Sequence, residues 1–214
     1  MNKKRYIQRA SELGFYYERT FHGCAQSTIA AIQDVFKIKY DFVFKAASSF
    51  GGGIGRMTDG VCGGYAGAVM MLSLFFGRKR NKFEDDKIAR IKTNRLVTKL
   101  HNKFLEEYGT IICRDIHKKL FGRTFNLCNI KDRKIFINNG AHTDKCTYVV
   151  ANSSGWCTEL ILDGLLEKGI NLEKIKFSDY INWKMIIRQL KNKFTPSIFE
   201  IKKLLTIKGL LKIG

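Results

Sequence analysis

The chain is almost without proline: Pro196 is the only one in 214 residues. Proline removes a backbone donor and breaks helices, so its absence before position 196 leaves long helical stretches uninterrupted. A mainly α-helical fold is the first expectation. Acidic residues are scarce as well. With 19 Asp and Glu against 38 Lys and Arg, the formal charge is +19, which draws the chain toward something anionic, such as a phospholipid surface or an acidic protein. No known nucleic-acid motif and no basic stripe interleaved with aromatics accompanies that charge, so specific nucleic-acid binding is not expected.

Long apolar runs are missing too. The uncharged stretch from Val61 to Phe76 falls short of the roughly 20 residues that span a bilayer and reads as a core helix. The start, Met1-Asn-Lys-Lys-Arg-Tyr, is basic but leads into no apolar segment of the kind a signal peptide requires, so a cytoplasmic location is expected. In an unexported chain the six cysteines are more naturally ligands, redox thiols or buried small residues than structural disulfides. No two of them have the Cys-x-x-Cys spacing of a zinc ribbon or a thioredoxin-type motif. Internal repeats and low-complexity tracts are absent. The length suits one domain, or one domain with an appendage.

What the chain does contain is a glycine- and cysteine-marked stretch from Phe50 to Gly77. Gly51, Gly52, Gly53 and Gly55 permit backbone angles closed to other residues, and Arg56 follows within reach of whatever the loop faces. Cys62 then stands at the head of the Val61–Phe76 helix. Gly63, Gly64 and Gly67 leave its first turns without bulk, so another backbone or a compact inorganic ligand can approach closely. The glycine run Gly51-Gly-Gly-Ile-Gly-Arg follows no predicted strand, which separates it from the dinucleotide-binding fingerprint.

Apolar spacing of three or four predicts a helix from residue 3 to about 18, and a second beginning at Cys24. Asp41 to Phe50 reads as a shorter helix feeding the glycine loop, and Asp85 to Tyr108 as an outer helix with Ile88, Ile91, Leu96, Leu100, Phe104 and Leu105 inward. Gly109 ends it. Another helix begins near Cys113. Residues 121 to 141 are turn-rich, with Ile135-Phe-Ile the one β-like triplet. A threonine or aspartate cap at Thr143 or Asp144 then opens a helix carrying Cys146 and Cys157 and reaching about Lys168. Beyond Asn171 acids thin out. Asp179 to Phe194 forms a basic amphipathic pattern that suits an anionic membrane surface, the body of the protein or a twin subunit in a homodimer. The expected organisation is thus an all-α bundle over 1–169, with a Gly-rich loop at the cysteine site, and a basic helical extension over 170–214.

Cys24, Cys62, Cys113 and Cys146 fall at or near predicted helix starts, where backbone amides favour the thiolate. Cys128 lies in the turn-rich segment and Cys157 well inside a helix. Four thiolates on four segments can enclose one site, and sulfur-only ligation suits an iron–sulfur cluster or zinc. His22, beside Gly23 and Cys24, and His142, four residues before Cys146, are further candidates for a base or an extra ligand.

The order Gly-Cys24-Ala-Gln-Ser, Ser-Phe-Gly-Gly-Gly-Ile-Gly-Arg, Val-Cys62-Gly-Gly-Tyr-Ala-Gly-Ala, Tyr-Gly-Thr-Ile-Ile-Cys113-Arg and Cys146-Thr-Tyr-Val-Val resembles the redox-active C-GCAxxG-C-C family. The middle element usually reads Cys-Gly-Ala-x-x-Gly there, so Gly64 stands in for the alanine. The resemblance covers about residues 10 to 168 and implies a redox role, with the four hallmark cysteines on Cys24, Cys62, Cys113 and Cys146. A similar domain accompanies haem in split-Soret cytochromes, where an iron–sulfur centre is associated with it. This chain has no Cys-x-x-Cys-His, so covalent haem is not expected.

Three readings follow. In the first, the four cysteines hold an iron–sulfur cluster, most simply [2Fe–2S], and the protein passes single electrons to a redox partner protein. The glycine loop would donate amide hydrogen bonds to cluster sulfur, and Arg56 would offset cluster charge. In the second, two of the same cysteines cycle between dithiol and disulfide. In the third they hold structural zinc in an adaptor that docks on acidic partners, or on lipid at the inner face of the membrane, through residues 171–214. Conventional catalysis has little support in any of them.

Overall fold

The structure, a computed structural model, describes residues 2–84 and 87–169. The expected basic extension over 170–214, with its amphipathic segment at 179–194, lies outside the described residues. The described chain is all-α, as its lack of proline implies. Eight helices run in order: α1 (Lys3–Phe21), α2 (Cys24–Phe36), α3 (Asp41–Ala46), α4 (Gly63–Phe76), α5 (Lys87–Tyr108), α6 (Cys113–Phe121), α7 (Ile130–Asn138) and α8 (Cys146–Leu166). Among the described residues there is no strand, only one isolated antiparallel bridge between Val61 and Ile112.

Each helix forms for local reasons and is fixed by what it buries. Asn2 caps α1, its side chain accepting from the Arg5 amide, and Tyr6, Ala10 and Leu13 face inward at helical spacing. That face lies along α8, and Gly14 and Gly155 let the two helices close on Ser154 and Ser11 respectively. Helix α2 packs against α1, α4 and α8, burying Ile29 and Ile32, and α5 covers α4 and α8 with Leu96, Leu100 and Phe104. Fully burying a side chain of this kind contributes roughly 1.5–3 kcal/mol, so these interlocking faces carry most of the fold's stability.

The structure departs from the sequence expectations at four places. On α5 the inward stripe is Thr93, Leu96, Leu100 and Phe104, while Ile88, Ile91 and Leu105 face solvent, because one helical face cannot hold all six apolar positions. The Asp41–Phe50 segment breaks into α3 and a 3-10 turn, Ser48–Phe50. The segment from 121 to 141 contains α7, and Ile135-Phe-Ile is helical. Asn129 makes it so, its side chain accepting from the Lys131 and Asp132 amides. Thr143 and Asp144 do not cap α8; they lie inside a π turn, Ala141–Lys145, that runs directly into Cys146.

Around α7 a second small core forms from Phe125, Leu127, Phe136 and Ala141, with Phe121 and Cys146 packed against it. This core lies against the cysteine site. The turn-rich segment is thus part of the site's wall.

Candidate functional site

Cys24, Cys62, Cys113 and Cys146 each stand at a helix start, and tertiary structure brings those starts together. Cys24 is the first residue of α2, entered through His22 and Gly23, both at positive φ (62° and 83°). Cys62 and Cys113 each follow one residue of the isolated bridge, Val61 and Ile112. The Cys62 amide donates to the Ile111 carbonyl at 2.7 Å and the Cys113 amide donates to the Gly60 carbonyl at 3.0 Å, so α4 and α6 set out from a shared point. Cys146 opens α8 straight from the π turn.

The glycine loop closes over this meeting point. Gly52, Gly53, Ile54, Gly55 and Arg56 hold five successive positive φ values between 60° and 72°, and Thr58 adds another at 65°. Such a run is rare for L-residues, and it is fastened by backbone bonds from Arg56 to Gly51, Thr58 to Gly52 and Gly60 to Gly53. Its inner side touches the cysteines. A Cβ at Gly53 would stand 2.7 Å from Cys113 Cβ, and one at Gly63 would stand 2.5 Å from Cys24 Sγ. The glycines serve close approach here as much as backbone angle. Arg56, expected to face the site, is exposed on the loop, and Gly55 has open space where a side chain would be.

Every pair among the four thiols is coupled electrostatically: Cys24 with Cys62, Cys113 with both of these, and Cys146 with all three. Amides do point at sulfur, those of Gly52 and Cys24 at Cys24, and those of Gly64 and Tyr65 at Cys62. Their effect is outweighed. Burial is the largest influence on all four thiols and pushes each of them up, and at Cys24, Cys113 and Cys146 the neighbouring thiols push in the same direction. The helix-start expectation of thiolates is therefore corrected, because desolvation exceeds the amide contribution. Without a cation the site holds neutral thiols.

Several neighbours escape a reading of the sequence by spacing. Glu18 is buried on α1, and its Oε1 lies 3.1 Å from His142 Nδ1. The His142 ring packs against His22 with centroids 4.0 Å apart and planes tilted by 42°, and His22 Nδ1 lies 3.0 Å from the Glu18 carbonyl oxygen. The two candidate histidines thus meet, and Glu18 reaches both, His142 through its carboxylate and His22 through its main-chain carbonyl. The only signal for Glu18 is its place four residues after Gly14 and eight after Ala10, a charge on the apolar face. His117 Nε2 lies 3.5 Å from Cys113 Sγ, while its ring packs among Phe121, Phe125 and Phe136. Burial lowers His117 to about 4, so the imidazole is neutral at physiological pH. Cys128 and Cys157 stand apart from this group: Cys128 is exposed near the Arg56 carbonyl, and Cys157 is buried with its thiol 3.3 Å from the Ala68 carbonyl.

Among the described residues, no three Cys, His, Asp or Glu side chains converge on a point that could hold one metal ion. No helix there is long and apolar enough to cross a membrane. What the fold and site define is an all-α protein that gathers four cysteines, two buried and two half-buried, beneath a left-handed glycine loop. The family model described as "Putative redox-active protein (C_GCAxxG_C_C)" matches residues 22–160, well over half of the chain, and the chain belongs to that family. No curated protein and no solved structure matches it.

Proposed function

We propose that this redox-active protein holds an iron–sulfur cluster, most simply [2Fe–2S], on Cys24, Cys62, Cys113 and Cys146, and exchanges single electrons with a partner protein. The observation that carries this reading is the meeting of four cysteines from four helix starts: backbone bonds set Cys62 beside Cys113, and Gly53 and Gly63 bring the loop and the head of α4 against Cys113 and Cys24. The donor set is all sulfur, which selects iron–sulfur clusters and zinc. A tetrahedral zinc asks one ion to collect three or four side chains, whereas a two-iron cluster asks each iron for only two thiolates. Gly63 lets the head of α4 come close to Cys24 Sγ, where a Cβ would stand only 2.5 Å away.

When bound, such a cluster supplies a one-electron couple. The chain supplies the rest. Loading requires the four thiols to give up protons that burial makes them hold, and positive charge on iron drives that loss. The amides of Gly52, Cys24, Gly64 and Tyr65 donate to the sulfurs and offset the negative charge they carry. The chain's charge of +19 favours a partner with an acidic docking face.

One observation favours the thiol–disulfide alternative: the 3.5 Å contact of Cys113 Sγ with His117 Nε2, which orients that thiol. In that reading two thiols close to a disulfide and pass two electrons and two protons to an oxidised acceptor. Alkylation with a mass label separates the two. Under the cluster reading, anaerobically prepared protein labels first at Cys128, and the four site cysteines label only after iron is chelated. Labelling of those cysteines that depends on reductant and ignores chelator contradicts it.

A further inference from the structure

Glu18 is an unusual residue to find beneath a thiol site. Its side chain is 2% exposed, its one ion-pair partner among the described residues is His142, and its Oε2 has no hydrogen-bond partner. A buried carboxylate oxygen left unpaired destabilises a fold, so its retention calls for a use. Its position suggests one. Glu18 precedes His22, Gly23 and Cys24 by a turn or so of α1, while His142 precedes Cys146 by one turn. The carboxylate therefore stands between the approaches to two of the four cysteines, and its charge also reaches Cys62.

We propose that Glu18 is a positioning residue of the redox site, a buried carboxylate that holds the reduction potential down, itself held by His142, against which the His22 ring packs. The proposal rests on the cluster reading above. A negative charge near the centre opposes the arrival of an electron, and within a dry site that opposition is poorly screened. His142 holds the carboxylate through Oε1, and the buried Oε2 has no hydrogen-bond partner.

The test is a redox titration, followed by visible absorption, of anaerobically prepared full-length parent, Glu18→Gln and Glu18→Met. Glu12→Gln serves as a control, a carboxylate on the same helix that is bonded to Gln8. Neutralising Glu18 is expected to shift the reduction equilibrium about tenfold toward the reduced form, which is 59 mV for one electron, with iron and sulfide content unchanged and Glu12→Gln at the parent value. The Met variant removes the unpaired oxygen altogether and carries the same expectation if the Gln variant does not fold. Iron-loaded variants with the parent potential overturn the proposal. So does a variant that keeps its helical spectrum but loses iron, which makes Glu18 a holder of the centre. A parent without iron sinks instead the reading on which the proposal stands.

Discussion

Gly63 and Cys24 share one space: a Cβ on the glycine would lie 2.5 Å from the cysteine Sγ and 2.7 Å from the Phe50 carbonyl oxygen. Neither neighbour can yield freely, since one is a site thiol and the other is backbone. Gly63→Ala is expected to lower stability by about 1–3 kcal/mol, the usual range for overpacking, and to displace Cys24 from the site. Denaturant unfolding together with iron content checks both effects. A variant with parent stability and full iron would show that the approach is not tight.

The glycine loop offers a paired comparison. Gly53 and Gly55 both have positive φ (72° and 60°), but a Cβ at Gly53 would meet Thr58 Cα at 2.6 Å and Cys113 Cβ at 2.7 Å, whereas Gly55 has nothing within 4 Å. Gly55→Ala should destabilise by only the ~1–2 kcal/mol of a left-handed residue. Gly53→Ala should lose that and the packing term as well, and should disturb Cys113. Equal losses in the two variants would contradict the close contact of loop and cysteine.

His117 makes the metal-free protein sensitive to acid. Its ordinary value is 6.5 and burial lowers it to about 4 in the folded state, so the unfolded chain binds this proton first. The stability it contributes is whole above pH 6.5 and is lost as the pH falls through about 4, by roughly 3 kcal/mol at most. Replacing it with phenylalanine, to match the rings of Phe121, Phe125 and Phe136 around it, should flatten the stability profile over that window. An unchanged slope in His117→Phe would assign the acid sensitivity elsewhere.

Cys128 and Cys157 provide the negative controls. Cys128 is exposed, 4.0 Å from Met57 Sδ, and Cys128→Ser should leave iron content and potential as they are. Cys157 is fully buried against α4, so Cys157→Ala should reduce stability by about 1 kcal/mol without touching the metal. Loss of iron in either variant would enlarge the site beyond four thiols.

Much of the fold was legible because periodicity is a local property. Leu96, Leu100 and Phe104 repeat at intervals set by the helix itself, and Cys24 opens α2 at the position its spacing predicts. The α7 helix was hidden by β-branched residues, since its cause is one cap, Asn129, acting on two amides. What could not be read was anything that depends on two distant segments meeting. The bridge between Val61 and Ile112 places Cys62 beside Cys113, yet no spacing within either segment announces it. The thiol acidity expected from helix starts failed for the same reason, because the depth of burial is set by α1, α8 and the loop together. Glu18 belongs with these. A charge on an apolar stripe is visible in a sequence, but its meeting with His142, 124 residues away, is not.

The most direct measurement is the count of iron and acid-labile sulfide per chain in protein purified without oxygen, for the parent and for serine at each of the four site cysteines. Two irons and two sulfides in the parent, falling sharply in Cys24→Ser, Cys62→Ser, Cys113→Ser and Cys146→Ser and standing unchanged in Cys128→Ser, is the expected result. A parent that stays free of iron after reconstitution, or serine variants that load as fully as the parent, would contradict a cluster held by these four residues.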